Sequence, residues 1–575
     1  MSYIDWLVMC GTVLLIVVYG IYKSRHINNI QGYLLSGKDM KWWTIGLSIM
    51  ATQASAITFL STPGQAFDDG MRFVQFYFGV PIAMVIISIV VIPIFHRLNV
   101  YTAYEYLEQR FDLKTRSLAA FLFLISRGMA AGLTIYAPAI IFTALLGWQI
   151  DLTCITLGLV VLIYTVVGGN KAVSHTQKQQ MFVILVGMIL AGIVMILKLP
   201  PDVSLGDAVF IAGKMGKLNI ITTPSSWAEF DIKDRYNLWS GLIGGTFLAL
   251  SYFGTDQSQV QRYLGGKSLT ESRIGLLFNG IFKVPMQFMI LFIGAMMFVF
   301  YQFNSRPMFF NTPERTQIIA SDVGPQYLET EKKYETLHLE KSNLLRQLLH
   351  ARNEGDVSRV AQTQENLQRI EAQSDTIRQQ GIDLIKTYNP RADTNDLDKI
   401  FLTFILHHLP VGLIGLLMAV ILSASMSSTS AELNSLATTT IVDIYKRLFH
   451  KNDDQRDYLS ASKWATFGWG IFAIGFALFA SELGNLIQAV NILGSLFYGT
   501  LLGIFVVAFF MKKIRGTSVF YAAILAEVIV FGFYIFPQIS PGFPDIGFLW
   551  FNLIGCVAVA IFSAIFQAIS PKNHP

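Results

Sequence analysis

Long apolar stretches alternate with short polar ones along the whole chain, and the apolar stretches have the length of membrane-spanning helices. Thirteen spans are predicted, at 3–22, 43–66, 72–96, 118–147, 150–168, 179–199, 237–257, 275–303, 410–443, 459–482, 484–511, 516–537 and 546–569. Several exceed the hydrocarbon thickness and must tilt, bend or project. Two longer loops interrupt the pattern, Pro200–Tyr236 and Tyr301–Lys399. The first span has Asp5 near its start and no small-residue cleavage pattern, so it reads as a retained helix and not a signal peptide.

Lysine and arginine set the orientation. Lys23, Arg25, Lys38 and Lys41 follow the first span, Arg97, Arg110, Lys114 and Arg116 the third, and Lys171 and Lys178 the fifth. Arg262, Lys267 and Arg273 follow the seventh span, Lys446, Arg447, Lys451 and Arg456 the ninth, and Lys512, Lys513 and Arg515 the eleventh. A basic loop after every odd span puts those loops in the cytoplasm, the N-terminus outside and the C-terminus inside. Composition agrees: 53% of the 575 residues are hydrophobic and 14% charged, against about a quarter charged in soluble proteins. The net charge of +5 resides between spans and carries no nucleic-acid signal. Cys10, Cys154 and Cys556 lie in apolar runs and suggest neither disulfides nor a metal motif.

Polar chemistry concentrates in three spans. In the ninth, LMAVILSASMSSTSAELNSLATTTIVDIYK, the residues Ser423, Ser427, Ser430, Asn434 and Thr438 form one helical stripe. Two readings are open: small-residue packing between helices, or oxygen ligands for a hard cation. The second span, WWTIGLSIMATQASAITFLSTPG, is small and polar from Ala51 to Thr58, which predicts a broken helix. The seventh has the same character, with Gly241, Gly244, Gly245 and Gly254 followed by Asp256, Gln257 and Gln261. These two spans begin consecutive blocks of five, 43–199 and 237–511. Five is odd, so the second block runs inverted relative to the first, and matching interruptions in inverted halves point to a midplane transport site. The remaining divisions are a first span with its loop (1–42), an outer loop (200–236) and two final spans with a short tail (512–575).

The segments ASAITFLSTPGQAFDDG, TDQSQVQRYL and LSASMSSTSAELNSLATTTIVDIYK resemble those of the sodium/solute symporter (SSS) family. The resemblance covers nearly all spans and implies an all-α LeuT-type fold and sodium-coupled symport of a small polar organic solute by alternating access, in a bacterial inner membrane. It places Na⁺ among the carbonyls of Ala51, Ala54 and Ala424 and the hydroxyls of Ser427 and Ser428. It places the solute near Thr58, Phe78, Asp256, Ser258, Lys283, Val490 and Asn491. Asp256 reads either as a substrate contact or as part of an inner-gate ion pair, with Lys283 or Arg262 as its cation. Gln177 stands where relatives with a second sodium carry an aspartate, which implies one Na⁺ per cycle. Glu432 on the serine helix is unusual in place and reads as a compensating charge or a proton site. No organic cofactor is implied.

Other classes fit less well. A membrane enzyme would need clustered His, Asp, Glu or Cys at mid-span, and His407-His408 have no metal-ligand companions. A proton-coupled symporter working through Asp256 or Glu432, and a transporter-like sensor, are the alternatives. The stretch 305–398 reads as a charged helical hairpin turning at Asn353-Glu354-Gly355, its seam formed by Leu337, Leu344 and Leu348 against Val360, Leu367, Ile370, Ile377 and Leu384. It is either a solvated insertion or an extracytoplasmic device for gating or for docking a protein partner.

Overall fold

The computed structural model describes residues 1–24, 38–98, 100–223, 231–390, 392–449, 455–483, 485–540 and 542–569. Arg25 and Lys451, counted among the basic-loop residues, lie outside them. The described chain is helical from end to end, with an isolated bridge between Met40 and Gly266 as its extended pairing. In order the helices are α1 (Tyr3–Ser24), α2 (Trp42–Gln53), α3 (Ala56–Asp69), α4 (Gly79–Ile86), α5 (Ile92–Leu98), α6 (Ala103–Arg110), α7 (Leu113–Leu146) and α8 (Ile150–Leu197). Next come α9 (Leu205–Lys214), α10 (Gly245–Gly254), α11 (Gln257–Leu264), α12 (Leu269–Phe303), α13 (Thr312–Ile319), α14 (Gly324–Asn353) and α15 (Val357–Tyr388). The chain closes with α16 (Leu397–His408), α17 (Leu413–Thr439), α18 (Gln455–Ala477), α19 (Leu486–Phe510), α20 (Gly516–Ile539) and α21 (Leu549–Ile569).

Nine helical stretches among the described residues are long and apolar enough to cross a membrane, with two shorter apolar helices besides. The thirteen predicted spans do not map one to one onto these stretches. The second and seventh spans are broken into short pieces, and the fifth and sixth lie in the single 48-residue stretch α8. The two ends of α8 have different neighbours: Gly158 meets Ile474 and Ile135, whereas Gly187 meets Val420 and Leu417.

The break in the second span is where its propensity is weakest. Helix α2 ends at Gln53, Ala54 turns out of helical geometry (φ −86°, ψ 73°), and α3 restarts after Ser55. The seventh span breaks at Thr255-Asp256, where the Asp256 side chain caps α11 by accepting the Ser258 N–H at 2.8 Å. The neighbouring helices cross tightly. A Cβ on Gly79 would lie 2.2 Å from the Thr246 nitrogen, so the third and seventh spans touch backbone to backbone. One carboxylate organises the start of the serine helix: Oδ1 of Asp5 accepts the N–H groups of Gly412 and Gly415 at 2.6 and 3.2 Å.

At the end opposite the hairpin, the short helix α6 acts as a crossbar. Its preceding Tyr101 carbonyl and Ala103 N–H bond the amide of Gln257, and its Tyr104 hydroxyl donates to the Thr255 carbonyl at 3.0 Å. Arg116 pairs there with Asp443 and Glu108, at 2.7 and 2.6 Å.

The helical hairpin forms as α14 and α15, turning at Gly355 (φ +71°). Of the expected seam, Leu348, Leu367 and Ile370 are buried while Leu337, Leu344, Val360, Ile377 and Leu384 are only partly so, and Leu345 and Leu349 are buried besides. The arm is shared between two surfaces, since α14 also docks on its own chain. Arg346 pairs with Asp202 and Arg352 with Asp207, both at 2.9 Å, and the Arg352 guanidinium lies over Phe210 of α9.

Candidate functional site

The carbonyls near the end of α2 are the starting point. A helix that stops at Gln53 leaves its last carbonyls without the N–H of a following turn. The Ala51 carbonyl accepts from the Ser427 hydroxyl at 3.5 Å and the Ser428 hydroxyl at 3.4 Å; Ser428 also lies 3.2 Å from the Thr52 carbonyl. Ala51, Ala54, Ala424, Ser427 and Ser428 are all buried, none more than 1% exposed. Oxygens spaced this way suit a hard cation, because six ligands at about 2.4 Å sit about 3.4 Å apart along an octahedron's edges.

The hydroxyls of α17 divide into two sets. Ser430, Ser435 and Thr438 donate back to carbonyls three or four residues earlier on α17, and Ser425 donates across to the Thr134 carbonyl at 2.6 Å. These hydroxyls satisfy themselves in a dry interior and let helices pack closely. Ser427 and Ser428 instead face the helix break. The packing reading therefore applies to the first set, and Ser427 and Ser428 stand apart from it.

Gln177 joins the same region. Its amide oxygen accepts from Ser48 and its nitrogen donates to the Thr52 hydroxyl at 3.0 Å, so α8 is tied to the last turns of α2 by a neutral group.

The acids have a different partner from the one the sequence suggested. Asp256 pairs neither with Lys283 nor with Arg262 but with Arg127 of α7, whose Nε lies 3.0 Å from Oδ2. The same guanidinium reaches Glu432 at 3.0 Å, bonds the Tyr498 hydroxyl and stacks 5.2 Å from the Tyr252 ring. Tyr498 donates to Asp256 at 3.0 Å, and Thr134 donates to Glu432 at 3.1 Å. Ser258 spends its hydroxyl on Asp256 at 2.6 Å, and Arg262 Nε reaches the Ser258 carbonyl at 3.3 Å. Glu432 thus lies against an arginine. Arg127 itself was legible, as a lone ionisable residue in the run SLAAFLFLISRGMAAG, the standard signal of a functional position in a membrane.

The other proposed solute residues lie on elements around α3. Thr58 is buried in its first turn, Phe78 is partly buried before α4, and Val490 and Asn491 are partly buried on α19. Lys283 is fully buried on α12, its Nζ 5.5 Å from the Tyr77 ring.

Two interrupted helices in a multispan helical bundle, with buried polar oxygens at one break, are the arrangement found at midplane sites of membrane transporters. Residues 33–334 and 387–526 match the Sodium:solute symporter family. The chain belongs to that family, and it spans less than two thirds of the length of the two animal relatives below. It is 23% identical to the sodium/sialic acid symporter SiaT of Proteus mirabilis, over 98% of this chain and 95% of that one. It is 27% identical to the sodium-dependent multivitamin transporter of Oryctolagus cuniculus, over 88% of this chain and 66% of the relative. Against the sodium/iodide cotransporter of Homo sapiens identity is 30%, over 47% of this chain and 41% of the relative. The solved substrate-bound, outward-open structure of a Na⁺-coupled sialic acid symporter superposes with a TM-score of 0.74 at 21% identity, covering 99% and 98% of the two chains.

Proposed function

We propose that this protein carries one Na⁺ and one small polar organic solute per cycle by alternating access. In this reading Na⁺ is held by the carbonyls of Ala51, Ala54 and Ala424 and the hydroxyls of Ser427 and Ser428. The observation that carries it is the approach of Ser427 and Ser428 to the uncapped carbonyls at the break of the second span. A cation there links α2 to α17, two elements of opposite repeats, so its arrival and departure bias their relative position. A cage without a carboxylate binds weakly enough to release sodium on the side where it is dilute.

The blocks 43–199 and 237–511 are the two repeats, each opening on a broken helix. One sodium per cycle is supported by Gln177, a neutral amide engaged by Ser48 and Thr52. Thr58, Phe78, Lys283, Val490 and Asn491 form the solute side. Asp256 and Ser258 serve with Arg127 as a lock between spans, which favours the gate reading of Asp256. The basic loops support an N-terminus outside and a C-terminus in the cytoplasm, and the SiaT likeness supports a bacterial inner membrane. The hairpin then sits outside as a brace on α9, and a protein partner would have to use its opposite face, where Leu328, Leu339 and Val357 are exposed.

The test is ²²Na⁺ uptake into proteoliposomes across a small-solute library, with Ser427→Ala/Ser428→Ala as control. Solute-dependent sodium uptake lost in the double variant supports the reading; sodium-independent transport abolished by Asp256→Asn replaces sodium with protons.

A further inference from the structure

Helix α12 carries Asn279, Lys283 and Gln287 at intervals of four, one face of a helix over about 12 Å of rise. All three are 0% exposed. Lys283 Nζ, both polar side-chain atoms of Gln287 and Oδ1 of Asn279 are buried without a hydrogen-bond partner. The buried cation Arg127, by contrast, is paired with Asp256 and Glu432. Asn279 Nδ2 reaches the Met84 sulfur at 3.9 Å, but all three side chains hold buried polar atoms without a partner on one face, the pattern of a site awaiting a ligand.

Packing along α12 fixes the height of that face. Gly275 lies against Ile45 of α2, and Gly294 lies against Pro63 and Ala66 of α3. Lys283 and Gln287 fall between them, level with the break at Ala54-Ser55. Helix α3 begins there with no side-chain cap on its first N–H groups, so its positive end is open to an acceptor. Among the described residues no salt bridge reaches Lys283, because Asp256 and Glu432 are committed to Arg127. The Tyr77 ring offers a cation–π contact on one side, which does not make up for the water an ammonium loses on burial.

We infer that the transported solute is a small organic anion, its carboxylate held between Lys283 and the first turn of α3, with Gln287 and Asn279 bonding its polar remainder. The inference rests on the symport reading above and adds to it a consequence for charge. One Na⁺ with one monoanion moves no net charge, so uptake follows the sodium concentration ratio and ignores the membrane potential.

The experiment uses the full-length protein in proteoliposomes and matched pairs of solutes, each a carboxylate with its uncharged amide or ester: pyruvate and pyruvamide, nicotinate and nicotinamide, pantoate and pantoamide, N-acetylneuraminate and its methyl ester. Sodium-driven uptake is expected for a carboxylate and at least tenfold less for its neutral twin, unchanged by a valinomycin–potassium potential. Lys283→Gln is expected to raise the solute concentration needed for half-maximal uptake at least tenfold, and Lys283→Arg to restore part of it. Thermal stabilisation in detergent by Na⁺ over K⁺ is a separate readout, expected to survive in Lys283→Gln and to report that its fold and cage are intact. The same melts with each solute pair report binding without transport. Neutral twins accepted as well as acids, or no carboxylate-selective response in either assay, overturns the inference. Carboxylate-selective stabilisation without any effect of Na⁺ leaves the anion site standing and sinks the sodium reading instead.

Discussion

Arg127 and Asp256 join spans that lie 129 residues apart in sequence, with Nε of the arginine 3.0 Å from Oδ2 of the aspartate. The other oxygen of the same carboxylate caps α11 where the seventh span restarts. One side chain therefore sets the direction of a broken helix and anchors it to α7. Arg127→Leu leaves Asp256 and Glu432 buried together without a cation and is expected to cost about 3–5 kcal/mol. Glu432→Gln keeps the Asp256 pair and is expected to be milder. Melting temperatures in detergent check the order; equal effects would remove Arg127 from the centre of the network.

The two serines that face the break should be unequal to their neighbours. Ser427→Ala and Ser428→Ala are each expected to raise the sodium concentration for half-maximal uptake about tenfold, roughly 1.4 kcal/mol per ligand. Ser435→Ala, which removes a bond made within α17, is expected to leave sodium dependence unchanged. Sodium titrations of uptake at fixed solute separate these outcomes.

Sodium activation should be hyperbolic, with a Hill coefficient of about 1, the value a single independent site gives. The physical reason lies at Gln177, whose amide already bonds Ser48 and Thr52 and offers no negative charge. A coefficient near two in a direct ²²Na⁺-to-solute flux ratio would show a second sodium site.

The hairpin should be a brace and not part of the transport machinery. The stretch 335–386 falls between the two segments that match the family. Replacing it with a short Gly/Ser linker is expected to preserve sodium-driven uptake and to lower the melting temperature, because Arg346–Asp202 and Arg352–Asp207 are lost. Abolished uptake by a correctly inserted, monodisperse protein would make the hairpin a gate.

Docking of the hairpin should weaken in acid. The His338 ring lies 3.0 Å from the Asn304 carbonyl, and burial first, then nearby Arg306 and Lys341, push its pKa down to about 4. An undocked ring takes up its proton at about pH 6.5. Below that value the undocked state binds more protons, so docking loses stability as pH falls from about 6.5 to 4 and is constant above it. Hydrogen exchange of the 330–350 stretch at pH 7 and pH 5 reads this, and His338→Gln should flatten the difference.

Hydrophobic length and periodicity by themselves determined the helical membrane architecture, because a bilayer leaves few ways to satisfy a backbone. Weak helix propensity at Ala51–Thr58 located the break in the second span, glycines marked the seventh as interrupted without fixing where, and the small hydroxyls of the ninth span located its polar face. Which hydroxyl faces what was beyond a one-dimensional pattern: Ser427 and Ser430 share a stripe, yet one crosses to α2 and the other bonds its own helix. Charge pairing was decided by tertiary structure alone. Asp256, Arg262 and Lys283 are near in sequence, but helix direction carries Lys283 toward Tyr77 and gives Asp256 to Arg127 on a distant span. Sequence supplies the charges, and only the packed bundle determines which of them are neutralised and which is left for a solute.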